Sequence, residues 1–264
     1  MDFNEKNLAV RLSGKRIGNN IRFFMEVEST NDILCGLARD GAPHGTVVIA
    51  ECQTKGKGRL SRQWQSPAGC NIYASIVLKP AIESVYAPQI TLMTGVVVAE
   101  LLSEYCTGAV TLKWPNDVQI GGKKVCGILA EMRASAGGGV DFIVVGIGIN
   151  VNMRGKNFDE SIRDMATSLA EEVGHDISRL DLAVKLFAKF DDLYARLLNS
   201  GFSSIKDSWL SYCDMVGKQV RVIFKNDKDS GEVLGVDDFG ALVISDKEGK
   251  IKRVIAGDAS VVKE

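Results

Sequence analysis

The segment KGKGRLSRQW, residues 55–64, sets Lys55, Lys57, Arg59 and Arg62 around Gly56 and Gly58, directly after an apolar run that reads as a strand. Such a loop is suited to hold an anion. Glycine lacks a Cβ, so its backbone can enter the φ > 0 region and bring N–H groups close to a ligand. The cations add charge, and an arginine fork meets phosphate or carboxylate oxygens two at a time. A solvated basic surface loop has the same composition, so the reading depends on what flanks it.

Two other segments carry groups that could join it. In KWPND (113–117) the proline forces a turn after a strand, which displays Asn116 and Asp117 at the strand's end. Lys124 lies just beyond a Gly121–Gly122 hairpin turn. Pairing across that hairpin lets Lys113 and Lys124 converge near Asp117, a carboxylate able to hold Mg²⁺ or to orient a lysine. An ordinary turn with surface lysines fits the same residues. In VVGIGINV, Gly146 and Gly148 weaken a strand unless a ligand or another backbone comes close. It reads either as the wall of a narrow apolar pocket, with Ile147 and Ile149 on one face and Asn150 at the rim, or as a strand packed tightly on a helix. No activated serine or cysteine accompanies these groups. Many fixed cations without a protein nucleophile point to attack by a bound substrate on a phosphate ester, with the protein supplying position and charge stabilisation.

The elements that must position these residues follow from pattern. STNDILCGLARDG (29–41) has a helix's punctuation: Ser29 or Thr30 as cap, Ile33, Leu34, Leu37 and Ala38 on one face, and Gly41 as stop. Strands are expected at 21–25, 46–52 and 71–78, then a helix over 88–105, apolar nearly all round and so buried. Strands at 110–114, 117–120, 124–132 and 141–152 read as consecutive and antiparallel. Residues 178–200 form an amphipathic helix with Leu182, Leu186, Phe190, Leu193 and Leu197 on one stripe and Ser178 as its cap. After Trp209 come QVRVIFK, SGEVLGV, GALVIS, IKRVIA and ASVV, short strands separated by turns, which suggest a small SH3-like β-barrel. The fold class is α+β: a mixed, mostly antiparallel sheet with helices, then the barrel. Residues 1–20 read as a linker, an N-terminal extension or a short helix, 21–212 as the catalytic domain and 213–264 as the barrel.

Composition removes several function classes. Thirty-two Lys+Arg against 33 Asp+Glu leave a formal charge of −1, so no global basic field recruits nucleic acid or an acidic membrane. No apolar run approaches the roughly 20 residues needed to cross a bilayer and no signal peptide is evident, which makes the cytoplasm the expected location. Cys35, Cys52, Cys70, Cys106, Cys126 and Cys213 lack paired spacing and read as buried free thiols, with Cys52 in the core. With only His44 and His175, a histidine-rich metal site is not expected.

Taken in order, EVESTND (26–32), GKGRLSRQW, SPAGCNIYAS (66–75), KWPNDV with GGKKVCGIL, and GIGINVN make the chain resemble the bacterial biotin protein ligases over most of residues 21–262. The resemblance implies a class II synthetase-like biotin/lipoate ligase catalytic domain. It implies that Ser29, Thr30, Asn31 and Gln53 contact biotin, with Gly56, Lys57, Gly58 and Arg59 closing over biotin and the adenylate. Lys124 corresponds to the lysine that reaches the biotin carboxylate and the α-phosphate. Arg62, Trp64, Lys113, Asn116, Asp117 and Asn150 match positions assigned to nucleotide binding or its support. Lys57 stands where relatives usually have arginine, Leu60 replaces a frequent arginine, and Ser61 stands where many have glycine. Relatives that repress transcription carry a winged helix-turn-helix ahead of this domain; without one, no DNA contact is expected.

The activity so implied has two steps: biotin attacks Mg·ATP to give biotinyl-5′-AMP and pyrophosphate, then a lysine of a biotin carboxyl carrier protein takes the biotinyl group. Lys124, Arg59 and Asp117 are the expected catalytic groups, ATP and Mg²⁺ the cofactors, with the metal carried by ATP and no dedicated metal site. The carrier belongs to acetyl-CoA carboxylase or another biotin-dependent carboxylase, and a homodimer is allowed. Two rivals stand beside this: a lipoate or octanoate ligase, and a non-catalytic biotin or nucleotide sensor.

Overall fold

The computed structural model describes residues 2–224 and 227–262. The chain opens with α1 (Glu5–Arg11), β1 (Ile21–Val27), α2 (Thr30–Arg39), β2 (Val47–Gln53) and β3 (Ile72–Leu78). Then come α3 (Pro88–Leu102), β4 (Val110–Lys113), β5 (Asp117–Ile120), β6 (Lys123–Ala134) and β7 (Val140–Ile149). Helices α4 (Leu169–Val173), α5 (Arg179–Ser200) and α6 (Ser203–Tyr212) precede β8 (Gln219–Phe224), β9 (Asp227–Val236), β10 (Leu242–Ser245), β11 (Ile251–Val254) and β12 (Asp258–Val261).

Seven strands form one sheet in the order β1-β2-β3-β7-β6-β5-β4. The expected antiparallel succession over 110–152 holds in β4 to β7, and β2–β3 and β3–β7 are antiparallel as well. β1 and β2 are parallel, because α2 lies between them in sequence and supplies the crossover that a parallel pair needs. Period-two alternation divides the sheet's two faces. Ile72, Ala74 and Ile76 of β3, with Ile143, Val145, Ile147 and Ile149 of β7, join α3 and α5 in the main core. On the other face Val48, Val77, Phe142 and Val144 meet Leu34 and Ala38 of α2. Helix α2 covers only part of that face. The uncovered remainder holds the cavity described below.

Of the alternatives for residues 1–20, the short helix is the one present: residues 2–20 contain α1, capped by Asn4, and Leu8, Leu12 and Ile17 are fully buried in the main core. Met1 lies outside the described residues. One reading needs correction. The statement that no apolar run is long enough for a bilayer fails at Ser84–Leu102, which meets that length and composition. Most of α3 within it is buried between sheet and helices, as its all-round hydrophobicity requires.

The last five strands form a second sheet, β11-β10-β9-β8-β12; QVRVIFK ends at Lys225, which lies outside the described residues. Val220, Val222, Val233, Leu242 and Ile244 of this sheet belong to the same core cluster as α3 and α5. Polar contacts also tie it to the rest: Trp114 Nε1 donates to Gly240 O at 3.1 Å, and Asp258 receives Arg59 at 2.9 Å and Arg62 at 2.5 Å from the 55–64 loop. The loop is thus held from the barrel as well as from the large sheet.

Replacing Leu8 with alanine should cost about 2–5 kcal/mol in chemical denaturation, the usual price of a large apolar side chain removed from a core. A linker residue would show almost none of that loss. Asp258→Asn removes the charge shared by Arg59 and Arg62, so trypsin should nick the 55–62 segment several-fold faster than in the unaltered chain, read by fragment mass. An unchanged cleavage rate would mean that the barrel does not restrain the loop.

Candidate active site

A cavity opens on the sheet face that α2 leaves free. Ten of the residues singled out from sequence line it: Ser29, Thr30, Asn31, Gln53, Lys57, Gly58, Arg59, Trp64, Asn116 and Lys124. They come from the α2 N-terminus, the end of β2, the following loop, the KWPND turn and β6. Tyr73, Gly127, Ile128, Leu129, Gly146, Ile147 and Gly148 supply the rest of the sheet-side wall.

Gly146 and Gly148 explain how two side chains come down onto the sheet. A Cβ at Gly146 would stand 2.3 Å from Asn31 Oδ1, and one at Gly148 would stand 2.5 Å from Trp64 Nε1. The pocket-wall reading of VVGIGINV is therefore right in place, but the glycine face lines the cavity. The isoleucines belong to the main core on the other side, with Ile147 touching the cavity as well.

The polar floor is a connected network. Ser29 is the N-cap of α2 by position, but its side chain makes no capping bond. Instead Gln53 Oε1 accepts from Thr30 N at 2.9 Å and from Thr30 Oγ1 at 3.1 Å. Gln53 Nε2 donates to Ser66 Oγ at 2.9 Å. Ser75 Oγ lies 2.8 Å from Thr30 Oγ1 and 2.6 Å from Asn31 Oδ1, and Asn31 Nδ2 donates to Leu129 O and to Glu131 Oε2. Thr30, Asn31 and Ser75 are almost wholly buried, so these bonds also spare the floor the cost of unpaired polar groups.

The loop departs from its expected backbone. Neither Gly56 nor Gly58 is left-handed; the left-handed residues are Leu60 (φ 53°) and Ser61 (φ 61°). Gly56 is needed for close approach, since a Cβ there would meet Trp64 O at 2.4 Å and Ser66 Oγ at 2.6 Å. Hydrogen bonds from Gly58 N to Arg62 O (2.7 Å) and from Trp64 N to Gly56 O (2.9 Å) fold the loop back on itself.

Among the described residues, every cation singled out around the loop except Lys113 has a carboxylate partner. Lys55 meets Glu28, Lys57 meets Asp32, Arg59 and Arg62 share Asp258, and Lys124 meets Asp117 at 2.6 Å. The bond to Asp32 raises the Lys57 pKa above the ordinary lysine value. Burial pulls the Arg59 guanidinium down, against Asp258 and Asp117. Lys124 Nζ also sits 5.3 Å from the centroid of the Trp64 ring. Among the described residues the buried Trp64 Nε1, set against Gly148, has no hydrogen-bond partner.

The remaining singled-out residues stand around the cavity without lining it. Asp117 holds Lys124, and Lys113 opposes Asp117 across β4 and β5. Gly56 lies beneath the loop, and Arg62 faces Asp258. Asn150 is buried and turned away: its Nδ2 donates to Thr167 O at 3.0 Å, beside the bridge that joins Lys124 to Ala166. Its place is that of a brace behind Lys124.

The thiols offer no nucleophile. Burial raises the pKa of all six cysteines, Cys213 to about 11. Only Cys126 and Cys213 are buried outright, so the expectation of six buried thiols, with Cys52 in the core, is corrected to two. Among the described residues no group of three or more His, Cys, Asp or Glu side chains could hold a metal ion.

Sequence reasoning missed Ser66, Ser75, Glu131 and Asp258. Ser75 had a signal, a lone hydroxyl in the otherwise apolar run IYASIVL. Asp258 had none, because it reaches the loop from the other end of the chain.

Residues 23–150 match the Biotin/lipoate A/B protein ligase family, and residues 216–262 match the Biotin protein ligase C terminal domain. The chain is 35% identical over 254 residues to the bifunctional ligase/repressor BirA of Bacillus subtilis (strain 168), a match covering 96% of this chain and 78% of that one. It is 34% identical over 231 residues to the biotin–[acetyl-CoA-carboxylase] ligase of Paracoccus denitrificans, covering 84% and 93%. The biotin protein ligase of Aquifex aeolicus, solved in complex with biotin and ATP, superposes with a TM-score of 0.79 at 33% identity, over 93% of this chain and 99% of that one. With both of its sheets matched and its cavity built from the motifs that first suggested the likeness, the chain belongs to the biotin protein ligase family.

Proposed function

We propose that this chain is an ATP-dependent biotin protein ligase, which makes biotinyl-5′-AMP and transfers the biotinyl group to a lysine of a biotin carboxyl carrier protein. One observation carries the reading: ten residues scattered between positions 29 and 124 close on a single cavity with an amide-lined floor and a cationic rim. A floor of amides and hydroxyls suits a ureido ring, and the apolar and aromatic walls suit a thiophene and its valeryl chain. A cationic rim suits a carboxylate meeting a phosphate.

In the first step a carboxylate oxygen of biotin attacks the α-phosphorus of ATP, the bond to the bridging oxygen breaks, and pyrophosphate leaves. Lys124 and Arg59 neutralise the charge gathering on the phosphoryl oxygens. Their attachment to Asp117 and Asp258 supports this role by fixing both cations before the substrate arrives. In the second step the carrier lysine's amine attacks the mixed-anhydride carbonyl, the C–O bond breaks and AMP departs. Asp117, beside Lys124, is suited to orient that amine or take its proton.

Mg²⁺ carried by ATP would supply charge neutralisation on the phosphates; Asp117, the carboxylate paired with Lys124, would be the residue to lend it an oxygen. A lipoate or octanoate ligase fits less well, because a dithiolane or an alkyl chain would leave the amide floor without partners.

Lys124→Ala should lower biotin-dependent ATP–pyrophosphate exchange by about 10²–10³-fold or more, with an unchanged circular dichroism spectrum. Near-normal exchange would refute the assignment of Lys124. Chelation with EDTA should stop exchange in the unaltered chain, and added Mg²⁺ should restore it; exchange that persists in EDTA would exclude Mg·ATP as the substrate. The transfer step is read by mass, as a carrier domain gaining one biotinyl group only when biotin and ATP are both present.

A further inference from the structure

Glu131 lies on β6 opposite Val144, outside the cavity lining, and its carboxylate ends on the floor's amide. Asn31 Nδ2 donates to Glu131 Oε2 at 2.7 Å and to Leu129 O at 3.2 Å. A carboxylate and a carbonyl can only accept, so both amide N–H groups are committed toward β6. The Asn31 oxygen is thereby fixed on the other side, where Ser75 Oγ approaches at 2.6 Å and one lone pair is left over. Gly146 gives that oxygen room on the sheet.

Gln53 is fixed in the opposite sense. Its Oε1 faces Thr30 N, which can only donate, so Nε2 points to Ser66 Oγ with one N–H left over. The floor therefore offers one acceptor from Asn31 and one donor from Gln53. A cyclic urea carries the complementary pair, an N–H and a C=O. An alkyl or dithiolane acid carries neither.

We infer that Glu131 is a specificity-determining positioning residue, whose carboxylate holds the Asn31 amide with its oxygen toward the ligand and so selects an N–H-bearing ring. The inference rests on the cavity being the biotin site. Without Glu131 the amide loses its strongest partner and can turn over, setting its N–H groups against the N–H of the ring. Glutamine keeps an acceptor at that position and should restore most of the effect.

Biotin-dependent ATP–pyrophosphate exchange separates the possibilities. Glu131→Leu should raise the KM for biotin about tenfold, with kcat and the KM for ATP within about twofold of the unaltered chain. Glu131→Gln should return the biotin KM to within about threefold of the original value. In an Asn31→Ser background, Glu131→Leu should add less than about a twofold change, because its action runs through the amide. If the leucine variant does not fold, Glu131→Ala carries the same expectations. A biotin KM within twofold of the original in Glu131→Leu, equal losses in the leucine and glutamine variants, or a parallel fall in kcat and in affinity for ATP would each overturn the inference. An unaltered chain that shows no biotin-dependent exchange would instead sink the reading of the site on which it rests.

Discussion

The site depends on bare backbone at Gly146 and Gly148. A sheet face with ordinary side chains holds a covering element about one side-chain layer away, as α2 sits over Val48, Val77 and Val144. Two residues along β7 that layer is missing, and Asn31 from the helix and Trp64 from the loop reach the space it leaves. Gly127 on β6, opposite Gly148, extends the gap to the neighbouring strand, where Trp64 and Lys124 lie within 3.0–3.3 Å of its missing Cβ. Cavity, amide floor and aromatic wall follow from that gap, and a single methyl at either position on β7 would push one of them out.

Charge is distributed by the same economy. The five paired cations of the site lean on four carboxylates, but the pairs are not equivalent. Lys55 and Glu28 are each 66% exposed, so their pair is screened and contributes little. Arg59 and Asp258 are 22% and 23% exposed, where water competes less and geometry matters more. Lys124 and Asp117 are similarly sheltered, and both side chains sit at strand ends fixed by the β4–β5–β6 meander. The sheltered cations Arg59 and Lys124 line the cavity; Lys57 lines it as well but is 42% exposed, and Lys55 sits outside it.

Much of this was legible from sequence because the motifs are local. The run from Ser29 to Asn31 announces a helix start, KWPND announces a turn, and Gly121–Gly122 announces the hairpin that brings Lys124 back toward Asp117. Their convergence on one cavity was less legible, since it depends on β2, β3, β7 and β6 being neighbours, which no local pattern encodes. The parallel β1–β2 pair escaped for a similar reason: strand direction is set by the crossover, and the segments alone do not show it. Residues 2–20 read equally as linker or helix because three buried side chains, Leu8, Leu12 and Ile17, are too few to raise an apolar periodicity in a polar stretch. Asp258 and Glu131 were invisible as site residues because each acts on a partner remote in sequence, across 199 and 100 positions.

The loop backbone shows why such remote partners matter. Leu60 and Ser61 both stand in the left-handed region, where a side chain costs roughly 1–2 kcal/mol per residue and where glycine would cost almost nothing. Local preference therefore opposes the folded loop. Two loop-closing hydrogen bonds, each worth about 1 kcal/mol, offset part of that strain. What is left falls to the ion pairs that anchor the loop at both ends, Lys57 to α2 and Arg59 with Arg62 to the barrel. A loop that is strained locally and anchored remotely keeps its shape only while both anchors hold, so the conformation over the cavity belongs to the large sheet and the barrel together rather than to the sequence 55–64.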